Sequence, residues 1–240
     1  SLNEAHIHII NEQELTTDQE DEVLSFFMDK INGITNPIFI NSPTFRPEQH
    51  LKESLYLVVV LWHEQGEEEL AHDVALLEVP TKELGRFLRL RDKDGESYLM
   101  FLDDVLRYCL PYIFIGREYA QYEAYTFKFT KDAEFELEQD LRSSVIEMVS
   151  RGVKRRGRGE AVRVVYDEAL SPEILRRLSD MAELNYRDMR IGGGRYHNMR
   201  DLMTLPDCGR PGLRFPKQEP LQMDEFHYAQ SIISQVLRRD

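Results

Sequence analysis

Cysteine is scarce. Cys109 and Cys208 are the only two in 240 residues, and neither stands at metal-ligand spacing from another Cys or His, which argues against a disulfide framework or a zinc site. Long apolar runs are missing too. The longest, residues 55–62, is well short of the roughly 20 residues that cross a bilayer, and no basic-then-apolar leader opens the chain. A protein of a reducing cytoplasm is expected, without a transmembrane segment. Positive charge is in deficit: 30 Lys and Arg against 43 Asp and Glu leave a net charge of −13. The averaged field repels nucleic acid and anionic membranes, although a local basic patch can still hold a polyanion. Catalytic signatures are missing as well. There is no G-x-x-x-x-G-K, no serine in a G-x-S-x-G elbow, no H-E-x-x-H and no H-x-E with downstream paired cysteines, so the P-loop, hydrolase and zinc templates fail. The chain does not begin with methionine and stops inside a helical pattern at Asp240, which suggests an excised fragment.

What is present is enough apolar sequence, 42%, for an ordinary core in one main domain. The centre of the pattern is residues 122–166. Large apolar residues alternate with polar ones from Tyr125 to Thr130, which suits a strand with one buried face. Leu137, Leu141, Val145, Met148 and Val149 then recur at helical spacing. A glycine-bearing turn with Arg151, Lys154, Arg155, Arg156 and Arg158 follows, and Val162, Val164 and Tyr166 alternate in a second strand. The result reads as a β-α-β unit with a positive turn.

Before it, residues 6–10 form a short strand candidate, and Thr17 with Glu20 reads as a capping box. Val23, Leu24, Phe27, Met28 and Ile31 give the ensuing helix its apolar face. Residues 55–62 read as a central strand, 73–79 as its hairpin partner, and 84–90 and 98–102 as shorter strands around the turn Asp92-Lys93-Asp94-Gly95. Asp103 and Asp104 invite an acid/base or metal reading, but they open a helix, where capping is favoured. After the centre, Ser171-Pro172 starts another helix. Gly192-Gly193-Gly194 could cradle phosphate, but lacks a following Lys-Ser or Lys-Thr and reads as a turn. Asn198 could cap a short helix. Residues 206–220 carry four prolines, read as a linker, and precede a terminal helical pattern.

His6 and His8 could hold a metal from one strand face, but nothing nearby completes a set. His63, His72 and His197 fall beside turns, so no catalytic histidine is selected. The best binding candidate is the basic turn, Lys154, Arg155, Arg156 and Arg158, whose cations can engage phosphate oxygens; a solvated helix end is the competing reading.

The order of motifs resembles the type 1, long-form polyphosphate kinase family. Residues 15–19 look like the opening of its head domain, Val79-Pro80 and Arg86-Phe87 like its next landmarks, and Phe101-Leu102-Asp103-Asp104-Val105 like its "L-E-D-V" helix start. Residues 127–134 are similar to "F-R-V-T-R-D-A-D", residues 155–163 to "R-R-R-x-G-x-x-V-R-L", and Asp201-Leu202-Met203 to "D-L-M". The family's "R-V-D-G-P-L-N" is replaced by residues 190–198, and the flanking helical and phospholipase-D-like parts are absent, so no catalytic residue carries over.

The resemblance implies an α+β fold: a mixed, largely antiparallel sheet with several packed helices in a single main domain. It implies a head domain over 1–205, and a linker and helix over 206–240 leading towards the catalytic half. The parent would transfer the ATP γ-phosphate reversibly to polyphosphate through a phosphohistidine, using magnesium. This portion would be structural and need no cofactor itself. Its partners would be the parent's other domains, a second copy in a homodimer, and polyphosphate. The alternative is a standalone module binding an acidic protein or nucleic acid.

Overall fold

Residues 54–63 alternate in side but not in character. Leu55, Leu57, Val59 and Leu61 face one way, Tyr56, Val58 and Val60 the other, and all seven are buried. A strand apolar on both faces can be stable only in the middle of a covered sheet, and that is its position. A computed structural model describes residues 2–46, 52–63, 72–117, 119–130, 163–181, 189–197 and 199–213, with 215, 219 and 233. The chain divides into two compact units, residues 1–206 and 207–240.

In the first unit the strands are β1 (Ile7–Ile10), β2 (Ile38–Phe39), β3 (Ser54–His63), β4 (His72–Glu78), β5 (Phe87–Arg89), β6 (Ser97–Phe101), β7 (Tyr119–Thr130), β8 (Arg163–Asp167) and β9 (Met189–Gly193). The helices are α1 (Thr17–Phe26), α2 (Thr81–Leu84), α3 (Leu102–Tyr108), α4 (Leu110–Ile113) and α5 (Pro172–Met181). A six-stranded sheet runs β2-β4-β3-β7-β8-β9, and a three-stranded one runs β1-β6-β5. Pairing is antiparallel except for β8 with β9 and β1 with β6. This is the expected α+β architecture with a mixed, largely antiparallel sheet.

Each face of β3 has its own core. Leu57, Val59 and Leu61 join Val23, Phe27 and Ile31 from the α1 region, Leu88 and Met100 from the small sheet, and Val105 and Leu106 from α3. Tyr56, Val58 and Val60 join Phe127, Phe129, Val164 and, from α5, Ile174 and Leu178. Burying each of these large side chains stabilises the fold by about 1.5–3 kcal/mol before entropy is counted.

Several local expectations shift. The capping box of α1 starts one residue earlier than expected: the Thr16 amide donates to Gln19 Oε1 at 3.0 Å, since Gln serves as well as Glu at that position. A π-helical turn, Phe27–Ile31, continues α1 and keeps Phe27 and Ile31 buried while Met28 is exposed. β7 and β8 pair directly and antiparallel, Phe127 opposite Tyr166, so the central unit is not a parallel crossover. The helix expected between them and the basic turn lie outside the described residues. α3 begins at Leu102 and stops at Tyr108, and α4, with Pro111 in its first turn, follows. Asp94 and Gly95 both have positive φ, 53° and 83°, the geometry that two-residue hairpins impose and Asp-Gly accepts. The second unit contains a 3-10 turn, Pro211–Leu213; the terminal helix expected there lies outside the described residues, apart from Ile233.

Candidate functional site

Asp103 and Asp104 sit in the first turn of α3 and are fully buried. The sequence favours capping for them, but arginines claim their side chains, Arg107 from the next turn of the helix and Arg86 and Arg195 from other elements. Asp104 accepts from Arg107 Nη1 at 2.7 Å, Arg195 Nη2 at 2.8 Å and the Tyr196 hydroxyl at 2.8 Å. Arg195 also bonds Glu12. Arg107 continues to β7, donating to the Ala124 carbonyl at 3.2 Å and to Thr126 Oγ1 at 2.9 Å, while the Thr126 hydroxyl donates to the Arg195 carbonyl. Asp103 has a leaner environment. Arg86 Nη2 donates to its Oδ2 at 2.9 Å, and Oδ1 has no hydrogen-bond partner. Arg86 Nε lies 3.2 Å from Asp201 Oδ2, close enough for an ion pair but not aligned for a hydrogen bond. The network thus clamps α3, β7, Arg195, Tyr196 and Asp201 together.

Burial sets its electrostatics. It pushes the Asp103 carboxyl up, against the pull of Arg86 and Arg107. Burial also works against the charge of Arg195, but the bonds to Glu12 and Asp104 outweigh it and hold its pKa above the usual range. Burial and then Asp104 raise the Tyr196 hydroxyl. Charges this strongly paired hold shape better than they transfer protons.

On the same face of β7, beyond Thr126, come Lys128 and Thr130. β8 places Val165 opposite Lys128 and Arg163 opposite Thr130, so these residues share one side of the sheet. With Gly193, Gly194, Tyr196 and His197 they line a cleft of about 440 Å³. A second cleft, about 590 Å³, is lined by Glu14, Asp18, Asp21, Glu22 and Asp92 among others; its acids are the wrong sign for an anion. The glycine run is a strand end. At Gly192 an added Cβ would come within 2.5 Å of Glu168 Oε1, whereas at Gly194 it would meet nothing.

The histidines are better placed than their sequence neighbours suggest. Lys93 and Glu96 close the Asp-Gly hairpin, which brings Glu96 to β1, where it accepts from His6 Nδ1 at 2.7 Å and His8 Nε2 at 2.6 Å. This is a third group that spacing alone could not supply. Even so, among the described residues no group of three His, Cys, Asp or Glu could hold a metal. His63 bonds Asp73 at 3.1 Å, and Asp73 accepts from Tyr119 at 2.9 Å. His72 packs on Trp62. His197 is buried, at 6% exposure. Cys109 is buried, which pushes its thiol up to about 12 and disfavours the thiolate.

A family model described as the polyphosphate kinase middle domain matches residues 18–205. The chain belongs to the polyphosphate kinase family. Its relatives include polyphosphate kinases of Vibrio vulnificus strain YJ016, 30% identical over 224 residues, and of Escherichia coli strain K12, 31% identical over 213. These alignments cover 92% and 86% of this chain but 31% and 30% of the relatives. In a crystal structure of the polyphosphate kinase from Porphyromonas gingivalis, a region matches 98% of the chain with a TM-score of 0.69 and 26% identity, and this is 32% of that protein. The chain therefore spans about a third of the length of the polyphosphate kinases it matches. Lys154, Arg155, Arg156 and Arg158, the residues selected from sequence, lie outside the described residues. Those missed are Arg86, Arg107, Lys128, Arg163, Arg195 and His197. The available signal was the polar set Thr126, Lys128 and Thr130 alternating with Tyr125, Phe127 and Phe129, a face that reads as solvent-facing yet contains the fully buried Thr126.

Proposed function

We propose that the chain serves as the middle domain, over residues 1–205, of a cytoplasmic polyphosphate kinase, with residues 206–240 leading towards the catalytic half. The parent reaction is reversible transfer of the ATP γ-phosphate to polyphosphate through a phosphohistidine, with magnesium neutralising the developing charge. The chemistry belongs to the rest of the parent. This portion holds protomers together and forms part of the wall past which the polymer moves, and Lys154, Arg155, Arg156 and Arg158 touch the polymer. The observation that carries the reading is the family match over 18–205. The buried network supports a structural role, since its carboxylates are occupied by arginines.

The test compares the purified 240-residue chain with its full-length parent, assaying ADP release and polyphosphate synthesis with ATP and magnesium. Synthesis by the parent and background with the chain alone is the expected pair. Turnover by the chain alone that follows the monodisperse protein and vanishes on a point substitution within it would overturn the division of labour.

A further inference from the structure

The cleft beside β7 has the composition of an oxyanion site. Lys128 and Arg163 stand on one sheet face at diagonal positions, set by the pairings of Lys128 with Val165 and Thr130 with Arg163. Diagonal neighbours are close enough for two long cationic side chains to converge on one group. Thr130, opposite Arg163, adds a hydroxyl, and Gly193 and Gly194 line the cleft without side chains of their own. The decisive residue is His197. It is 6% exposed, and Nε2 bonds the Gly194 carbonyl at 2.7 Å, which fixes the ring proton there. Nδ1 is then left without a hydrogen-bond partner, which is unusual for a buried nitrogen.

We propose that this cleft binds the phosphate groups of a linear polyphosphate, with Lys128 and Arg163 pairing the oxygens and His197 Nδ1 completing the shell. This rests on the family role proposed above and deepens it. The local field agrees. Burial lowers the Lys128 pKa; Asp201 opposes this, and the cations Arg163, Arg86 and Arg200 lower it further. An anion held near Lys128 offsets the repulsion among these cations. Burial likewise lowers the His197 pKa; the Gly194 carbonyl, Asp167 and Asp103 face the ring with the opposite effect, and Arg86 adds to the lowering. A bound phosphate favours the imidazolium, so binding takes up a proton at Nδ1 and strengthens as the pH falls.

The test is calorimetric titration of the 240-residue chain at low salt with tripolyphosphate, ATP and orthophosphate as separate probes. The variants are Lys128→Met with Arg163→Met, the charge-preserving Lys128→Arg with Arg163→Lys, and serine at 154, 155, 156 and 158. Tripolyphosphate should bind the parent chain more tightly than the other two. The Met pair should lose about 10-fold or more and flatten the log affinity against log salt slope by about 1–2, whereas the charge-preserving pair keeps most of the binding. His197→Gln should remove the gain at low pH. Equal or tighter binding of ATP overturns assignment to the polymer. No binding to a folded chain, or loss confined to the serine variant, overturns the site. Failure here leaves the family role standing, because that is read from synthesis by the full-length parent.

Discussion

Arg86 and Asp103 form an ion pair at 2% and 0% side-chain exposure, joined by one hydrogen bond of 2.9 Å. Asp103 Oδ1 and Arg86 Nη1 remain unpaired, so the desolvation of both ions is only partly offset. Asp104, with three donors, is far better served. The consequence is a sharp asymmetry. Either Arg86→Met or Asp103→Leu alone strands a buried charge and should cost about 3–5 kcal/mol. Arg86→Met with Asp103→Leu removes both ions and should recover most of that loss. Urea denaturation of the four members of the cycle measures it; a double variant as unstable as the sum of the singles would mean that the two side chains are not coupled and that neither single strands the other's charge.

Among the elements, β1 has the most conditional attachment. Among the described strands it is an edge, paired with β6, and Glu96 ties it down through His6 and His8. Bonds from His8 and His6 hold the Glu96 carboxyl below its ordinary 4.5. Because the native value is the lower one, the contribution of Glu96 is complete above 4.5 and is lost as the pH falls through the native value. Hydrogen exchange at the Ile9 and Ile10 amides should accelerate over that interval. Glu96→Gln should exchange faster at neutral pH and lose the acid dependence; an unchanged acid profile in that variant would assign it to other groups. The elements themselves were largely legible, because periodicity is local: β3 announces its central place with apolar residues on both faces, and Ser171-Pro172 marks α5, where the Ile174 amide donates to Ser171 Oγ at 3.3 Å. What joins them was not. Glu96 is 88 positions from His8 and Arg195 is 91 from Asp104, and no spacing rule connects residues that meet only after the sheets have formed. Thr126 shows the same limit within one strand, since alternation marks a polar face but not that a second layer covers it.

For the whole molecule, the proposed role in joining protomers requires self-association, for which the edge strands of both sheets offer backbone donors and acceptors. The 240-residue chain should scatter light at twice the monomer mass in the micromolar range, and a monomer mass persisting to high concentration would remove the proposed role in joining protomers. The Glu12–Arg195 bond has another kind of consequence. It closes a span of 183 positions, and β1 waits for β6, about ninety positions later. Doubling such a span adds only about 0.6 kcal/mol of closure entropy, so the long connection is thermodynamically inexpensive. It nonetheless constrains timing. On the ribosome, at about 5–20 residues per second, the segment holding Glu12 must remain available while almost the entire first unit is made. Truncated nascent chains ending before Arg195 should therefore leave that segment open to protease, long after the hairpin of β3 and β4 has emerged.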